Sequence, residues 1–176
     1  MVSLDVVQNG QIWRVATGAA VHSDLRHLVS NAILFGLFAY LLFGYFGFWM
    51  FPVLVVLLGC LTNYLALLTY PPSTQLLGAS GVVYVMAGLW LSIYVLVERR
   101  LAIGKRLLRA IGLGLIVLLP ATFQPQVSYR THAIGLLIGL FSGVLVFFVV
   151  RETIRQAEVR EYEHEEGSEP TFTARY

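Results

Sequence analysis

The sequence predicts an all-α fold: a polytopic membrane helical bundle with five transmembrane helices. Three observations carry this expectation. Of 176 residues, 57% are hydrophobic and only 12% charged, and the mean hydropathy is +0.74, a more apolar balance than soluble domains show. Charges are segregated: Asp, Glu, Lys and Arg are absent from Leu28 to Val97, from Ala110 to Tyr129 and from Thr131 to Val150. Each clean stretch holds one or more segments of roughly 20 residues, the length that crosses a bilayer. The formal net charge of +2 says little, because charge position outweighs its sum here. The lipid bilayer is the expected surrounding, and no nucleic-acid partner is expected.

The elements follow in order. Residues 1–26 form an N-terminal segment; MVSLDVVQNGQIWR lacks a basic region followed by an apolar core, so no cleavable signal peptide is visible. Span one covers about 27–44 and breaks at Gly44-Tyr45-Phe46-Gly47. Span two covers about 50–69 and stops at Tyr70-Pro71-Pro72-Ser73. Its lone cysteine, Cys60, excludes an intrachain disulfide and reads as a small packing residue. Span three covers about 79–97. A basic loop follows, with Glu98, Arg99, Arg100, Lys105, Arg106 and Arg109. Span four, about 107–122, is the shortest and holds Pro120 near its end. A polar turn over 123–130 leads to span five, about 131–150. Residues 151–176 form a tail with Arg151, Arg155 and Arg160 and then a Glu-rich stretch, expected to be exposed and partly disordered.

The strongest basic flanks are the loop after span three and the start of the tail. With five spans these share a side, and the excess of Lys and Arg makes that side cytoplasmic. The expected protein is therefore integral and multi-pass, in the plasma membrane of a prokaryote, with its C-terminus cytoplasmic. Spans three and five then both start from the outer side. The same count exports the N-terminal segment, which carries Arg14 and Arg26 and has no preceding span in this chain.

Ser80 and His132 head those two outer ends. Peptide hydrolysis by a serine needs a hydroxyl nucleophile, a base within hydrogen-bond reach and donors for the developing oxyanion. Gly78-Ala79-Ser80-Gly81 leaves room around the hydroxyl, at a helix start with free N–H groups. The same serine also reads as a simple helix cap. An imidazole in an apolar span is costly unless used or paired. Behind His132, Gly135, Gly139 and Gly143 share one helical face, as Ser80, Tyr84 and Gly88 do on span three. Small residues let helices approach closely. Tyr84 reads either as a partner for the imidazole or as a core aromatic. His27 and Asn31, one turn apart on span one, with His22 just before, are donors that suit an oxyanion or an interfacial hydrogen bond. His22, His27 and His132 match no zinc spacing and no carboxylate lies in a span, so no metal or other cofactor is expected. With only Asp5 and Asp24 near the outer surface, a dyad rather than a triad is the expected arrangement.

The ordered set Trp13-Arg14 with Thr17, His22, His27-xxx-Asn31, Gly78-Ala79-Ser80-Gly81 with Tyr84, and His132-xx-Gly135-xxx-Gly139 resembles the rhomboid family of intramembrane serine proteases over about residues 10–150. The resemblance implies a serine-type endopeptidase. Ser80 would be the nucleophile and His132 the general base. The Ser80 N–H, His27 and Asn31 would line the oxyanion hole, Gly78 would sit beside it, and Tyr84 would pack against His132. His22 would help organise a water-accessible cavity, and Gly135 and Gly139 would set the helix packing. Substrates would be other membrane proteins, cut in or near a transmembrane segment. The domain limits read 1–26 for the outer segment, 27–150 for the catalytic bundle and 151–176 for the tail. The family's bacterial core has six spans; five are expected here, the missing one being the first. A Glu common near the inner end of the span carrying His-xxx-Asn is replaced by Leu42-Phe43-Gly44-Tyr45. Two other classes compete: a noncatalytic rhomboid-like protein that binds membrane clients, and a small transporter scaffold. The transporter would require an intramembrane charge or paired broken helices, which the sequence lacks.

Overall fold

The computed structural model describes residues 1–122 and 128–167; of these, nothing is said of the side chains at 45, 116–117, 119–122 and 157–167. Most of the turn expected over 123–130, and the last nine residues of the tail, lie outside the described residues. Seven α-helices are described: α1 Leu4–Gln8, α2 Arg14–Thr17, α3 Leu25–Phe46, α4 Val55–Leu67, α5 Ser80–Val97, α6 Ile103–Thr122 and α7 Tyr129–Gly167.

Four helices among the described residues, not five, are long and apolar enough to cross a membrane: Leu25–Gly44, Trp49–Leu67, Ser80–Val97 and Tyr129–Gln156. This corrects the count read from the sequence. The excluded element is α6, expected as span four. It starts at Ile103 rather than at about 107, so Lys105, Arg106 and Arg109 all fall in its first two turns. The apolar part left, from Ala110 to Thr122, extends only about 20 Å at a rise of ~1.5 Å per residue, against a hydrocarbon core of about 30 Å.

Each long helix has a physical start and stop. Asp24 caps α3, its carboxylate accepting the His27 N–H at 2.8 Å, and the chain leaves α3 through Gly47 at φ +71°. Residues Trp49–Leu54 wind irregularly because Phe51 is extended (φ −133°, ψ 124°) and Pro52 follows. α7 does not end at the expected 150 but runs on as one helix through Arg151 and Arg155 to Gly167.

The core lies where α3, α4 and α7 surround α5. Val83, Val85, Met86, Ala87 and Leu89 of α5 are essentially without exposure. Phe38 and Leu42 of α3 and Val55 of α4 pack with them. The outward faces of α3, α4 and α7 keep large apolar side chains exposed, among them Ile33, Tyr40, Leu57, Phe141 and Val149. Such surface is stable against lipid and not against water.

Span parity no longer sets Ser80 and His132 at one end; direct contacts between α5 and α7 do. Gly135 lies against Gly81, Gly139 against Val85 and Gly88, and Gly143 against Leu89 and Ser92. The pairs advance together, so α5 and α7 run parallel. α6 brings the chain back: the Arg106 guanidinium donates to the Val95 carbonyl at 3.0 Å and the Tyr84 hydroxyl to the Leu118 carbonyl at 3.0 Å.

The N-terminal segment closes one end. Val2 pairs with Leu76 by two backbone hydrogen bonds of 2.9 and 2.8 Å. Both side chains join Val15, Ala66 and Leu67 in a second buried cluster.

Candidate functional site

The site is built at the end where α3, α5 and α7 all begin. Ser80 is the first residue of α5, so its N–H has no acceptor within the helix. The approach is a turn through Gly78, whose φ of +99° is a conformation that side chains resist. An added Cβ at Gly78 would meet His27 Cε1 at 2.8 Å and Nε2 at 3.1 Å, with Asn31 Nδ2 at 3.7 Å. His27 and Asn31 thus converge on the backbone two residues before Ser80. The turn is pinned from two more sides. His22 Nε2 accepts the Ala79 N–H at 3.4 Å, and the Gly78 N–H donates to Gly18 at 3.2 Å.

His27 is held in turn. Its Nδ1 lies 3.2 Å from Ser23 Oγ, and its ring meets that of His22 edge-on at 5.2 Å. Asp24, outside the span, sits below the usual carboxylate range, first because it accepts the His27 N–H and then because it accepts the Ser23 hydroxyl.

His132 lies in the first turn of α7, 4% exposed. The Tyr84 ring stacks on its imidazole, with centroids 4.1 Å apart and planes within 11°. Neither ring nitrogen of His132 has a hydrogen-bond partner, so no bond to Ser80 closes in this structure. The Asn31 Nδ2 group is likewise buried without an acceptor. Such orphaned polar atoms are uncommon, and each costs about 1–3 kcal/mol.

Ser80, Gly78 and His27 line a cavity of about 430 Å³ together with Asn63, Thr131 and Arg26. His132 is not in its wall. Asn31 lines a different cavity of about 330 Å³ between α2, α3 and α4, which it shares with His22, Ala79, Cys60 and Asn63. The structure therefore gathers Ser80, His27, Gly78 and His22 around one turn and sets His132 against Tyr84. It divides these residues between two cavities and a buried stack.

Trp13, Arg14 and Thr17 stay outside this cluster. The Arg14 guanidinium lies 5.0 Å over the Trp13 ring, and the Thr17 hydroxyl donates to the Trp13 carbonyl. Among the described residues no group of three or more His, Cys, Asp or Glu side chains is placed to hold a metal.

Asn63 was missed by sequence reasoning. It is 6% exposed, its amide donates to the Val15 carbonyl at 3.0 Å, and its Oδ1 faces Gly81. Among the described residues, only Asn63 lines both cavities. The signal was available: a carboxamide in an apolar span is as conspicuous as the imidazole of His132.

Fold and site together define a polytopic helical membrane protein with a serine-lined cavity at the common start of its packed helices. The model of the Rhomboid domain matches residues 9–148, and the chain belongs to the rhomboid family. No curated protein matches it.

Proposed function

We propose that the chain is an intramembrane serine endopeptidase that hydrolyses peptide bonds in or near transmembrane segments of other membrane proteins. The observation that carries this reading is the unpartnered imidazole of His132, stacked on Tyr84 of the helix that Ser80 begins. A neutral imidazole with a free ring nitrogen is a base awaiting a hydroxyl. Apo sites commonly hold such pairs longer than a hydrogen bond until substrate binds.

In the proposed reaction the Ser80 hydroxyl attacks the scissile carbonyl carbon and passes its proton to His132. The oxyanion is met by the Ser80 N–H, with His27 and Asn31 as further donors converging on the same turn. Collapse breaks the C–N bond, and His132 returns the proton to the leaving amine. Water, deprotonated by His132, then hydrolyses the acyl-enzyme. The cavity bearing Ser80 is the place for substrate and water. The basic ends of α5 and α7 support a cytoplasmic C-terminus.

The unclosed Ser80–His132 pair favours a second reading, a client-binding membrane protein without catalysis. The test is cleavage of a single-span substrate with small residues at the cut site by the full chain in proteoliposomes, beside Ser80→Ala and His132→Ala. Cleavage lost in both variants supports the dyad. Cleavage unchanged in both overturns it, and an inert native chain that still retains the substrate supports the second reading.

A further inference from the structure

His132 lacks what usually orients a catalytic imidazole. In serine hydrolysis the base is ordinarily held by a third group bonded to its far nitrogen. Here neither ring nitrogen has a hydrogen-bond partner. The Tyr84 stack fixes the plane of the ring but not its direction within that plane. That direction is inherited from the backbone carrying the side chain, the first turn of α7.

Hydroxyl groups clasp this turn. Ser128 immediately precedes α7 and caps it. Its carbonyl accepts the His132 N–H at 3.1 Å, and its Oγ accepts the Thr131 N–H at 3.2 Å. The same Oγ lies 2.9 Å from the Tyr70 hydroxyl and 2.5 Å from Thr131 Oγ1. Three partners fill the one proton and two lone pairs of a hydroxyl, so the cap cannot turn without giving up a bond.

The clasp ties α7 to its neighbours on two sides. Tyr70 lies 58 residues from Ser128 in sequence, just past the end of α4, and packs against the buried cluster that holds Val2 and Leu76. Arg130 grips the same corner. Its guanidinium lies 4.8 Å over the Tyr70 ring and donates to the Thr69 carbonyl. On the other side Thr131, 4% exposed, sets its methyl against Gly81, where an added Cβ would meet Thr131 Cγ2 at 2.9 Å. The residue before His132 therefore packs on the residue after Ser80. Ser128 and Thr131 also line the cavity of Ser80.

We propose that Tyr70, Ser128 and Thr131 are positioning residues for His132, acting through the first turn of α7 where an orienting acid would otherwise act. The proposal rests on the reading of His132 as the general base. Tyr84 sets the plane of the imidazole, and the hydroxyl clasp sets where the ring sits in that plane relative to Ser80.

The test uses the full chain in proteoliposomes with carbon-13-labelled histidine, and His132→Ala identifies the His132 ring resonance. Tyr70→Phe keeps the ring under Arg130 and removes only the hydroxyl. Ser128→Ala removes the centre of the clasp, and Ser128→Thr restores a capping hydroxyl. In Tyr70→Phe and Ser128→Ala the His132 resonance is expected to shift or broaden. Turnover per folded molecule should fall about tenfold with KM unchanged, and Ser128→Thr should recover both readouts. A loss of folded protein alone would move neither the resonance of the folded fraction nor its turnover. A native His132 resonance in both Tyr70→Phe and Ser128→Ala would overturn the proposal, and so would native turnover in both. If the native chain cleaves nothing, the protease reading fails, and the resonance alone decides whether the clasp positions the ring.

Discussion

Replacing Gly135 by alanine tests the packing that brings the two helix starts together. An added Cβ would lie 2.6 Å from the Gly81 carbonyl oxygen and 3.3 Å from both Thr62 Cγ2 and Tyr84 Cβ. The first neighbour is backbone and cannot rotate away. Restoring ordinary contact, from 3.4 Å upward, moves α7 from α5 by about 0.8 Å, one turn from His132 and one residue from Ser80. Overpacking of this kind costs about 1–3 kcal/mol. Alanine's better helix propensity returns up to about 1 kcal/mol. With that full return the expected net loss is about 0–2 kcal/mol. A misplacement near 1 Å costs on the order of 100-fold in rate, so turnover should fall much further than stability. The assays are thermal unfolding in lipid and cleavage of a single-span substrate. Gly36→Ala is the control, because an added Cβ there meets nothing within 4 Å, and it should be neutral or stabilising. Native stability and native turnover in Gly135→Ala would refute the claim that this glycine sets the helix separation.

Tyr84→Phe keeps the stack on His132 but removes the hydroxyl that donates to Leu118; about 1 kcal/mol of stability should be lost in denaturation with turnover nearly intact. Tyr84→Ala also removes the ring, and turnover should then fall with it. Asn63→Leu deletes the donor to the buried Val15 carbonyl, which costs about 1–3 kcal/mol, and hydrogen exchange over residues 2–18 should accelerate. The Asp24 carboxylate has its pKa lowered in the fold. Its capping contribution is therefore full above its ordinary value of 3.8 and is lost as pH falls through the lower folded value. Amide exchange in the first turn of α3 should speed up over that acid range, and Asp24→Asn should flatten the response.

The charge-free runs made α3, α5 and α7 legible, because lipid demands apolar length and nothing else in the sequence competes with that signal. They failed at α6. There a helix crosses the border between a basic loop and an apolar run, and no local rule stops it from beginning among its own cations. The N-terminal segment was also illegible. Val2 finds Leu76, and Asn63 finds Val15, across separations that local patterns do not encode. Asn63 is visible as a carboxamide in an apolar span, but its partner is a backbone carbonyl, which sequence does not distinguish from any other.

The sequence alone determined that this is a helical membrane protein of the rhomboid family. Family motifs and hydropathy are local properties of the chain, and they name Ser80, His27, Asn31 and His132 as the residues to examine. Only the tertiary structure decided how those residues meet. Glycine contacts down α5 and α7 fix which turns face each other, and the Tyr84 stack fixes the plane of the imidazole. The same packing put Asn31 on a separate cavity and left His132 without a hydrogen-bond partner. Distance and orientation between side chains belong to the packing of whole helices, and a one-dimensional pattern carries neither.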